Sequence, residues 1–521
     1  MDKYSSLSRE KLIDIAIEND HTIQELKEKV DQLSLLLAMG KARTFGKKSE
    51  SIDQEEINLF NYNEAENLST TTLEAEIKDI KDKPARKPKS KNHEQIDLEK
   101  FVTKTITHSP VEDDEIANYD RISQDVIYKA HVNVSIEVTK HIYETVKHKE
   151  TNRLVSVQRD FPFNNSIATP SLVSYVANEK YAMGTPLYRQ ESAFLSMGFP
   201  LSRVDLSNYI IKGAAMLYPF YEYLKYLLIH NQLKILHADE TTLKVIHVGD
   251  KDPREKCYMW LYTTAQHDLP IYIYEYRYSR AGQWPRDFLR DFKGTLVCDD
   301  YAGYNHIPGV VLQKCFVHAR RKFFDIYKAN KDPKIKTIID MTDAIFDDER
   351  MFKERKLTPD DIRQARNEPS HLAKLNDYFD HLESLNHSPS SVTGKATQYS
   401  LKNKQQLMTY LNDGNIPIDN NLAERGIKPF VINRKNFLFS NTEKGARASS
   451  IFMSVIQSAK TNGLDTMKYL EYLLEHMYKI TLLDNDFKDQ NKLVEKFKEM
   501  DRFLPWNPEI QAKFKVKEVA R

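Results

Sequence analysis

The stretch LKILHADE, residues 233–240, decides the fold of this chain. Its apolar run ends in acidic residues, and the aromatic and β-branched stretches CYMWLYTTA (257–265) and LPIYIYEYRY (269–278) also predict strands. A helix at 285–292 and a fourth strand, TLVCDD (295–300), follow. The order is therefore β-β-β-α-β, with an acidic residue at the end of the first and fourth strands.

This order predicts an RNase H-like α/β core. We assign the core to residues 231–482 and a helical insertion to about 325–414, where the sequence is mostly helical and rich in charge. With 521 residues the chain is long enough for three or four domains of about 100–200 residues each. The predicted fold class is a multidomain α/β protein, in which an N-terminal coiled coil and a small β/helical DNA-binding region precede the catalytic core.

The N-terminal segment, residues 1–50, predicts a coiled coil of the leucine-zipper type followed by a basic patch. Apolar residues recur at alternating spacings of three and four, at Ile23, Leu26, Val30, Leu33 and Leu37. A helix that packs within its own chain is the alternative interpretation. The basic patch includes Lys47 and Lys48, and residues 51–94 are a polar and basic linker that contains KDKPARKPKSK (81–91).

Two further regions lie before the core. Residues 95–165 are predicted to form a small β module, because apolar and polar side chains alternate from Val132 to Val138. Residues 166–230 are predicted to form a helical DNA-binding region, in which Gly198 and Pro200 separate two helices and Arg203 opens the second. An ordinary helical pair fits that spacing equally well. Residues 483–521 are predicted to form a charged C-terminal tail.

Bulk composition limits the function classes only weakly. The 76 Lys and Arg residues nearly cancel the 75 Asp and Glu residues, so the net charge of +1 neither favours nor excludes nucleic acid as a partner. The chain has three cysteines, which indicates a reducing compartment and no disulfide framework. No apolar run approaches the ~20 residues that span a bilayer, and the N-terminus lacks the apolar core of a secretory signal. We expect a soluble cytoplasmic protein.

Asp239, Asp299 and Glu424 are the candidate catalytic and metal-binding residues. Two-metal phosphodiester chemistry requires hard oxygen ligands delivered by separate strands and helices, so its acids lie far apart in sequence. Because side chains alternate along a strand, we expect His237 to share the face of Asp239 and Glu240 to point away. An acid at a strand end often only binds a turn amide, and spacing alone does not establish that the three acids meet.

Basic residues cluster near two of these acids. Glu424 lies in a block with little other acid, and a surface pair of Glu424 with Lys428 is the alternative to a site. Cys315 and His318 form a C-x-x-H pair, but two ligands do not make a closed zinc site, which normally needs four. A helix start that packs on the sheet is the alternative there. The residues predicted to contact DNA, besides Lys47, Lys48 and Arg203, are His318, Arg320, Arg321, Lys322, Arg425, Lys428, Arg434 and Lys435.

Many longer motifs occur in one order along the chain. They are TFGKKSE (44–50), TPLYRQ (185–190), HADET (237–241), DDYAGYN (299–305), CFVHARRKFF (315–324), IDNNLAERGIKP (418–429), RKNFLFS (434–440), AKTNG (459–463) and LPWN (504–507). On these motifs the chain resembles the TnpC-type transposases of the sixty-six family of bacterial insertion sequences, which have a DDE core.

The resemblance implies that Asp239, Asp299 and Glu424 are the DDE triad and that two Mg²⁺ (or Mn²⁺) ions bind there. Relatives usually read D-G-Y at the second acid, so Asp300 stands in place of the glycine and Asp299 is assigned as the acid. Relatives also carry a four-cysteine zinc ribbon before the PLYRQ helices, whereas residues 95–165 contain no cysteine. No zinc is therefore expected.

The resemblance also implies the partners and the reaction. The expected partners are DNA (terminal inverted repeats and target DNA), a second copy through the coiled coil in a homodimer or higher oligomer, and accessory proteins of the same element. The protein is expected in the bacterial cytoplasm, associated with the nucleoid. The expected reaction is metal-dependent cleavage at the element ends, followed by transfer of the 3′-hydroxyl into target DNA. The alternatives are an inactive product that only occupies the inverted repeats, and an RNase H-like nuclease that acts on RNA–DNA hybrids or branched DNA.

Overall fold

The computed structural model describes residues 135–147, 149, 154–156, 160–164, 166–249, 256–483, 486 and 489–516, together with residue 105 and residues 11, 15, 18, 22, 26–27, 29–30 and 33–38. The described residues between 11 and 38 are helical, and Leu26, Val30, Leu33 and Leu37 of the predicted seam are exposed. Ile23, Lys47, Lys48 and the linker lie outside the described residues. The coiled coil therefore stays a prediction.

The described strands are short except in the centre of the chain. They are β1 (Thr145–Lys147), β2 (Leu154–Ser156), β3 (Ile235–Leu243), β4 (Val245–His247), β5 (Cys257–Thr264), β6 (Tyr272–Arg277), β7 (Gly294–Cys298), β8 (Val310–Lys314) and β9 (Ser440–Thr442).

The described helices fall into three groups along the chain. Before the sheet lie α1 (Pro170–Tyr181), α2 (Leu187–Ser196) and α3 (Arg203–Ile229). Within and after it lie α4 (Gln283–Phe288), α5 (Phe316–Asn330), α6 (Pro333–Glu354), α7 (Pro359–Arg366), α8 (Pro369–Ser384), α9 (Val392–Lys402) and α10 (Lys404–Leu407). The last group is α11 (Asn421–Phe437), α12 (Glu443–Thr461), α13 (Thr466–Met477), α14 (Gln490–Lys498) and α15 (Pro508–Phe514).

A mixed five-stranded sheet forms the centre of the molecule, in the order β6-β5-β3-β7-β8. The strands β3, β5 and β6 pair antiparallel, whereas β7 pairs parallel with both β3 and β8. The four strands predicted from the sequence are confirmed, and β8 adds a fifth. The molecule is thus a mixed α/β protein, and the ends of β3 and β7 lie at the same edge of the sheet.

The two faces of the sheet belong to two hydrophobic cores. Side chains alternate along β3, so Leu236 and Ala238 join the first core, while Ile235 joins the second. The first core also contains buried residues of α1–α3 and α11–α13. The second core is built mainly from α5, α6 and α8, the helices that follow β8 in the chain.

The helical segment 316–418 leaves and rejoins the sheet at one place. The Phe316 amide donates to the Ile418 carbonyl at 3.0 Å, and the Asn420 amide donates to the Cys315 sulfur at 3.3 Å. The start of α5 and the approach to α11 are therefore hydrogen-bonded neighbours.

The regions that flank the core differ in part from the expectation. Helix α3 begins at Arg203, as predicted, because Ser202 and Asp205 form a capping box. Residues 135–144 form no regular element, so the strand predicted over 132–138 is wrong in its described part. Strands β1 and β2 pair antiparallel instead, with Thr145 opposite Ser156. An alternating pattern gives a strand one apolar face, but a strand forms only when a neighbouring strand is present to pair with it.

The C-terminal segment contributes to the first core. Helices α14 and α15 and the short turn between them bury Phe497, Met500, Phe503 and Phe514, so charge describes only their outer surface. Among the described residues, no helix is both long and apolar enough to span a bilayer.

Candidate active site

Asp239, Asp299 and Glu424 line one pocket of about 260 Å³. Asp239 lies in β3, Asp299 follows β7 directly, and Glu424 lies in the first turn of α11. Parallel pairing of β3 with β7 brings the two aspartates to one edge of the sheet. The pocket is completed by His318, Asn420, Ile427, Lys428 and Val431.

The carboxyl group of Asp239 is in an environment that disfavours its charge. Burial raises its pKa well above the ordinary value, and the carboxylates of Glu240, Asp299 and Glu424 raise it further. Its Oδ1 atom accepts one hydrogen bond, from the Glu240 amide at 2.8 Å. Several acids thus converge where burial alone already opposes ionisation.

The two neighbours of these aspartates point elsewhere. Glu240 faces away from the pocket, as predicted, where it pairs with Arg280 and accepts a 2.7 Å hydrogen bond from the Tyr304 hydroxyl. Asp300 pairs with Lys314 and does not line the pocket. The Asp299 carboxylate accepts from the Tyr301 amide at 2.9 Å, which fixes the turn that leaves β7.

Asn420 joins the strand that carries Asp239 to the helix that carries Glu424. Its amide nitrogen donates to the Ala238 carbonyl at 2.9 Å, so its Oδ1 atom accepts from His237 Nδ1, also at 2.9 Å. Burial lowers the pKa of His237 to about 4, so the ring is neutral near pH 7. The carboxylate of the preceding residue, Asp419, accepts from the Asn421 amide at 2.9 Å.

A glycine allows α11 to approach the sheet closely. A Cβ atom added at Gly426 would lie 2.7 Å from Leu261 Cδ2 and 2.9 Å from Tyr272 Cε1. The Gly426 carbonyl also accepts a hydrogen bond from the Tyr274 hydroxyl. Since Gly426 is two residues after Glu424, this contact sets the depth at which the carboxylate enters the pocket.

His318 lies beside Glu424, with 3.7 Å between Nε2 and Oε1. Burial lowers the pKa of His318, and the Glu424 carboxylate acts in the opposite direction. Two buried atoms here, His318 Nδ1 and Glu424 Oε1, have no hydrogen-bond partner within the described part of the chain. Unpartnered buried polar atoms are costly, so both are available to a ligand.

The basic residues predicted to contact DNA are in different environments. Lys428 lines the pocket, whereas Arg203, Arg321, Lys322, Arg425 and Lys435 have exposed side chains. Arg434 is half-buried and donates to the hydroxyls of Thr241 (3.1 Å) and Thr242 (2.8 Å), so it ties α11 to the end of β3.

Arg320 is a correction to the predicted DNA contacts. Its side chain is only 7% exposed, and its guanidinium forms a two-point ion pair with Asp343 of α6. A paired and buried guanidinium is not available to a phosphate. The helical spacing in the sequence could have indicated that Arg320 is buried. Phe316, Arg320 and Phe323 lie on one face of α5, and both phenylalanines are buried.

Sequence reasoning also missed part of the pocket lining. Ile427 and Val431 are three and seven residues after Glu424, which places them on the same helical face. That periodicity was readable in the sequence. The pairing of Asn420 with His237 was not, because it joins residues that are distant along the chain.

Comparison with known proteins gives a family match and distant relatives. A model of the transposase IS66 family matches residues 165–448. The uncharacterized protein y4qI of Sinorhizobium fredii (strain NBRC 101917 / NGR234) is 28% identical over 326 residues, 60% of each chain. The uncharacterized protein y4jD of the same strain is 28% identical over 363 residues, 66% of this chain and 67% of its own. The match thus spans about 60% of the length of y4qI. No solved structure matches the chain significantly.

Proposed function

The chain belongs to the transposase IS66 family, and from that premise we propose that it cuts the DNA ends of an insertion sequence and joins their 3′-hydroxyls to target DNA. Asp239, Asp299 and Glu424 are proposed as its catalytic acids. The observation that carries this proposal is their convergence on one pocket from three separate elements.

The sheet supports the same proposal. Three antiparallel strands, followed by two parallel strands on the other side of β3, are the order expected of an RNase H-like core. The helical segment between β8 and α11, which forms the second core together with one face of the sheet, fits the proposed insertion. We propose residues 231–482 as the catalytic domain on this basis.

The pocket fits hard divalent cations, Mg²⁺ or Mn²⁺. Its three acids offer carboxylate oxygens, the ligands that these ions prefer. Within the described residues neither Asp239 nor Asp299 forms an ion pair, and Glu424 Oε1 has no hydrogen-bond partner. When bound, two such ions would supply positive charge at the reacting phosphate and polarise the attacking oxygen.

The protein's own groups would orient the DNA and the acids. Asn420 holds β3 against the start of α11, which keeps Asp239 and Glu424 at one pocket. Lys428 lies one helical turn beyond Glu424 and would contact the phosphate that enters the pocket. Hydrolysis and strand transfer would use the same groups, because only the attacking hydroxyl differs between them.

The remaining regions are proposed to assemble the two DNA ends. The coiled coil of residues 1–50 would pair protomers, the linker of residues 51–94 would tether it, and residues 95–230 would contact the inverted repeats. Exposed Arg425 and Lys435 extend the basic surface along α11 away from the pocket. Accessory proteins of the element would join this complex.

Cleavage of a supercoiled plasmid that carries the element's own ends tests the proposal. Wild type, Asp239→Asn, Asp299→Asn and Glu424→Gln would be compared with Mg²⁺ or Mn²⁺, beside Asp291→Asn as a control at an exposed acid. We expect nicking at the ends by wild type and Asp291→Asn, and none by the other three. Gel-shift binding of the ends should remain in all five proteins.

Two outcomes would overturn the proposal in different ways. Nicking that survives in Glu424→Gln would remove the proposed triad. Wild-type protein that binds the ends and never cuts, with helper proteins and metal present, would favour a product that only occupies the inverted repeats.

A further inference from the structure

Three potential metal ligands of different chemistry meet at the wall of the pocket. The ligand atoms of Cys315, His318 and Glu424 all lie within 4.8 Å of one another. Tetrahedral zinc sites with sulfur and nitrogen ligands hold their ligand atoms about 3.5 Å apart. His318 Nε2 and Glu424 Oε1, at 3.7 Å, are already near that separation.

The sulfur of Cys315 is placed as a metal-binding sulfur would be. Cys315 occupies the N-cap position of α5, and its Sγ atom accepts the backbone N–H of Asn420 at 3.3 Å. Amide donors and a helix N-terminus both stabilise a thiolate. Without a cation, burial and the carboxylates of Asp419 and Glu424 raise the pKa of the Cys315 thiol to about 12.

His318 and Glu424, the other two proposed ligands, each have a polar atom without a hydrogen-bond partner among the described residues. His318 Nδ1 and Glu424 Oε1 are buried without a hydrogen-bond partner in the described part of the molecule. A histidine with an unpartnered ring nitrogen and a carboxylate with an unpartnered oxygen suit an entering cation. Both residues line the pocket, so a fourth ligand, water or a phosphate oxygen, has access.

We propose that Cys315, His318 and Glu424 form a site for one thiophilic divalent cation, of the kind of Zn²⁺ or Co²⁺. Counting only the C-x-x-H pair gives two ligands, and the fold supplies the third from α11. On binding, the Cys315 S–H bond breaks, its proton passes to solvent, and the thiolate donates an electron pair to the cation. Thiolate and imidazole select Zn²⁺ over Mg²⁺, so the site differs in preference from the all-carboxylate set.

The sharing of Glu424 gives the site a consequence for activity, and this part alone rests on the proposed function. A Glu424 carboxylate held by Zn²⁺ with Cys315 and His318 is withdrawn from Asp239 and Asp299. Zinc bound here would therefore inhibit DNA cleavage in the presence of excess Mg²⁺.

Binding is tested by titrating the full-length, EDTA-treated protein with Co²⁺ and no DNA. Wild type should show a thiolate-to-cobalt charge-transfer band that saturates at one Co²⁺ per chain, with release of about one proton. Cys315→Ser should lose the band, while Cys257→Ser, at a buried cysteine on β5, should keep it. His318→Ala should weaken Co²⁺ binding by more than about 100-fold, since even outer partners of metal ligands contribute about 10–100-fold.

The binding result stands apart from catalysis. A Co²⁺ spectrum without the sulfur band, or a band that persists in Cys315→Ser, would refute the site even if the enzyme cuts DNA. Should Cys315→Ser not fold, His318→Ala decides, because unchanged Co²⁺ affinity there also refutes it. Where cleavage is measurable, micromolar Zn²⁺ should inhibit wild type more strongly than His318→Ala, each relative to its own rate with Mg²⁺; equal inhibition would refute the regulatory consequence.

Discussion

The ammonium group of Lys314 lies 3.1 Å from the Asp300 carboxylate, and the Lys314 side chain is only 1% exposed. The same ammonium donates to the Asp299 carbonyl at 3.2 Å and to Asn305 Oδ1 at 3.4 Å. One buried lysine thus holds both sides of the turn that presents Asp299. It also accounts for an aspartate at position 300, where the resembling transposases usually carry glycine.

We expect the Lys314–Asp300 pair to be strongly coupled. Asp300→Asn and Lys314→Met should each lower the free energy of unfolding by about 1–3 kcal/mol, because the first removes the carboxylate that pairs with a buried ammonium and the second leaves a half-buried carboxylate without its cation. The double variant should lose clearly less than the sum of the two. Urea unfolding measures this, with Asp340→Asn as the control, since its partner Lys336 is exposed and the change should stay within about 0.5 kcal/mol. Additive losses would mean that the pair does not interact.

Asp239→Asn should stabilise the metal-free protein while it removes the proposed activity. The pKa of Asp239 is raised in the folded state, so its ionised form costs stability at neutral pH, and that cost disappears as the pH falls below the raised value. We expect a gain of about 1 kcal/mol near pH 7, the usual size for relief of a strained site. The gain should vanish in acid.

In the presence of Mg²⁺, wild type should become more stable than Asp239→Asn. A cation that binds the folded wild-type protein at 100 times its Kd adds about 2.7 kcal/mol, whereas the amide of Asp239→Asn is a poorer ligand. Thermal unfolding in EDTA and in Mg²⁺ tests both statements. Equal Mg²⁺ shifts in the two proteins would remove Asp239 from the ligand set.

Asp348 should give the helical segment 316–418 an acid-sensitive contact. Its carboxylate accepts from Lys374 Nζ at 2.6 Å and from His371 Nδ1 at 2.7 Å. Burial alone would raise its pKa, but these two partners hold it below the ordinary value. The stabilisation is therefore present above the ordinary pKa of about 3.9 and lost as the pH falls through the lowered one.

Asp348→Asn should cost about 1–2 kcal/mol at pH 7. The difference from wild type should shrink steadily below about pH 4, the window in which the wild-type carboxylate gains its proton. Unfolding in urea at several pH values measures it. The control is the neighbouring Asp347→Asn, whose carboxylate is 60% exposed, so it should change little at any pH. A pH-independent loss would assign the effect to packing.

Lys435→Glu should weaken binding to the element ends and lower the salt dependence of that binding. Each phosphate contact contributes about 0.9 to the slope of log K against log salt, so we expect a decrease of about one. Lys498→Glu, an exposed position on α14, is the matched control for the change of charge. An unchanged slope for Lys435→Glu would exclude it as a contact.

Arg320→Met should behave in the opposite way. It removes the buried ion pair with Asp343, so we expect a loss of about 1–3 kcal/mol of stability and no change in the salt slope. A reduced slope with full stability would restore Arg320 to the DNA contacts.

The sheet could be predicted from the sequence because its strands are continuous apolar runs. Residues 257–265 are rich in aromatic and β-branched side chains and residues 233–238 are mostly apolar, and local chemistry is enough to identify such strands. Asp299 directly follows its strand, as predicted, whereas β3 continues to Leu243, so Asp239 lies within its strand and not at its end. Of the strand predicted over 132–138, the described residues 135–138 form no regular element, because alternation alone does not provide a strand to pair with.

The pocket could not be derived in the same way. The helix that carries Glu424 is held to the strand that carries Asp239 by the hydrogen bond from Asn420 to Ala238. These two residues are 182 positions apart in the sequence. Nothing local in either segment encodes that contact, and only resemblance to a family connected them. Lys314 and Asp300 likewise meet because β7 and β8 pair in one register, which the sequence does not display.

The hydrogen bond between Phe316 and Ile418 affects how the length of the segment between them can change during evolution. A segment whose two ends touch is, for the rest of the molecule, a closed loop, and its length adds only a logarithmic entropic cost. Residues could be gained or lost among α6–α10 while Cys315 and Asn420 stayed neighbours. The positions of the acids relative to one another therefore need not change when the length of this segment changes.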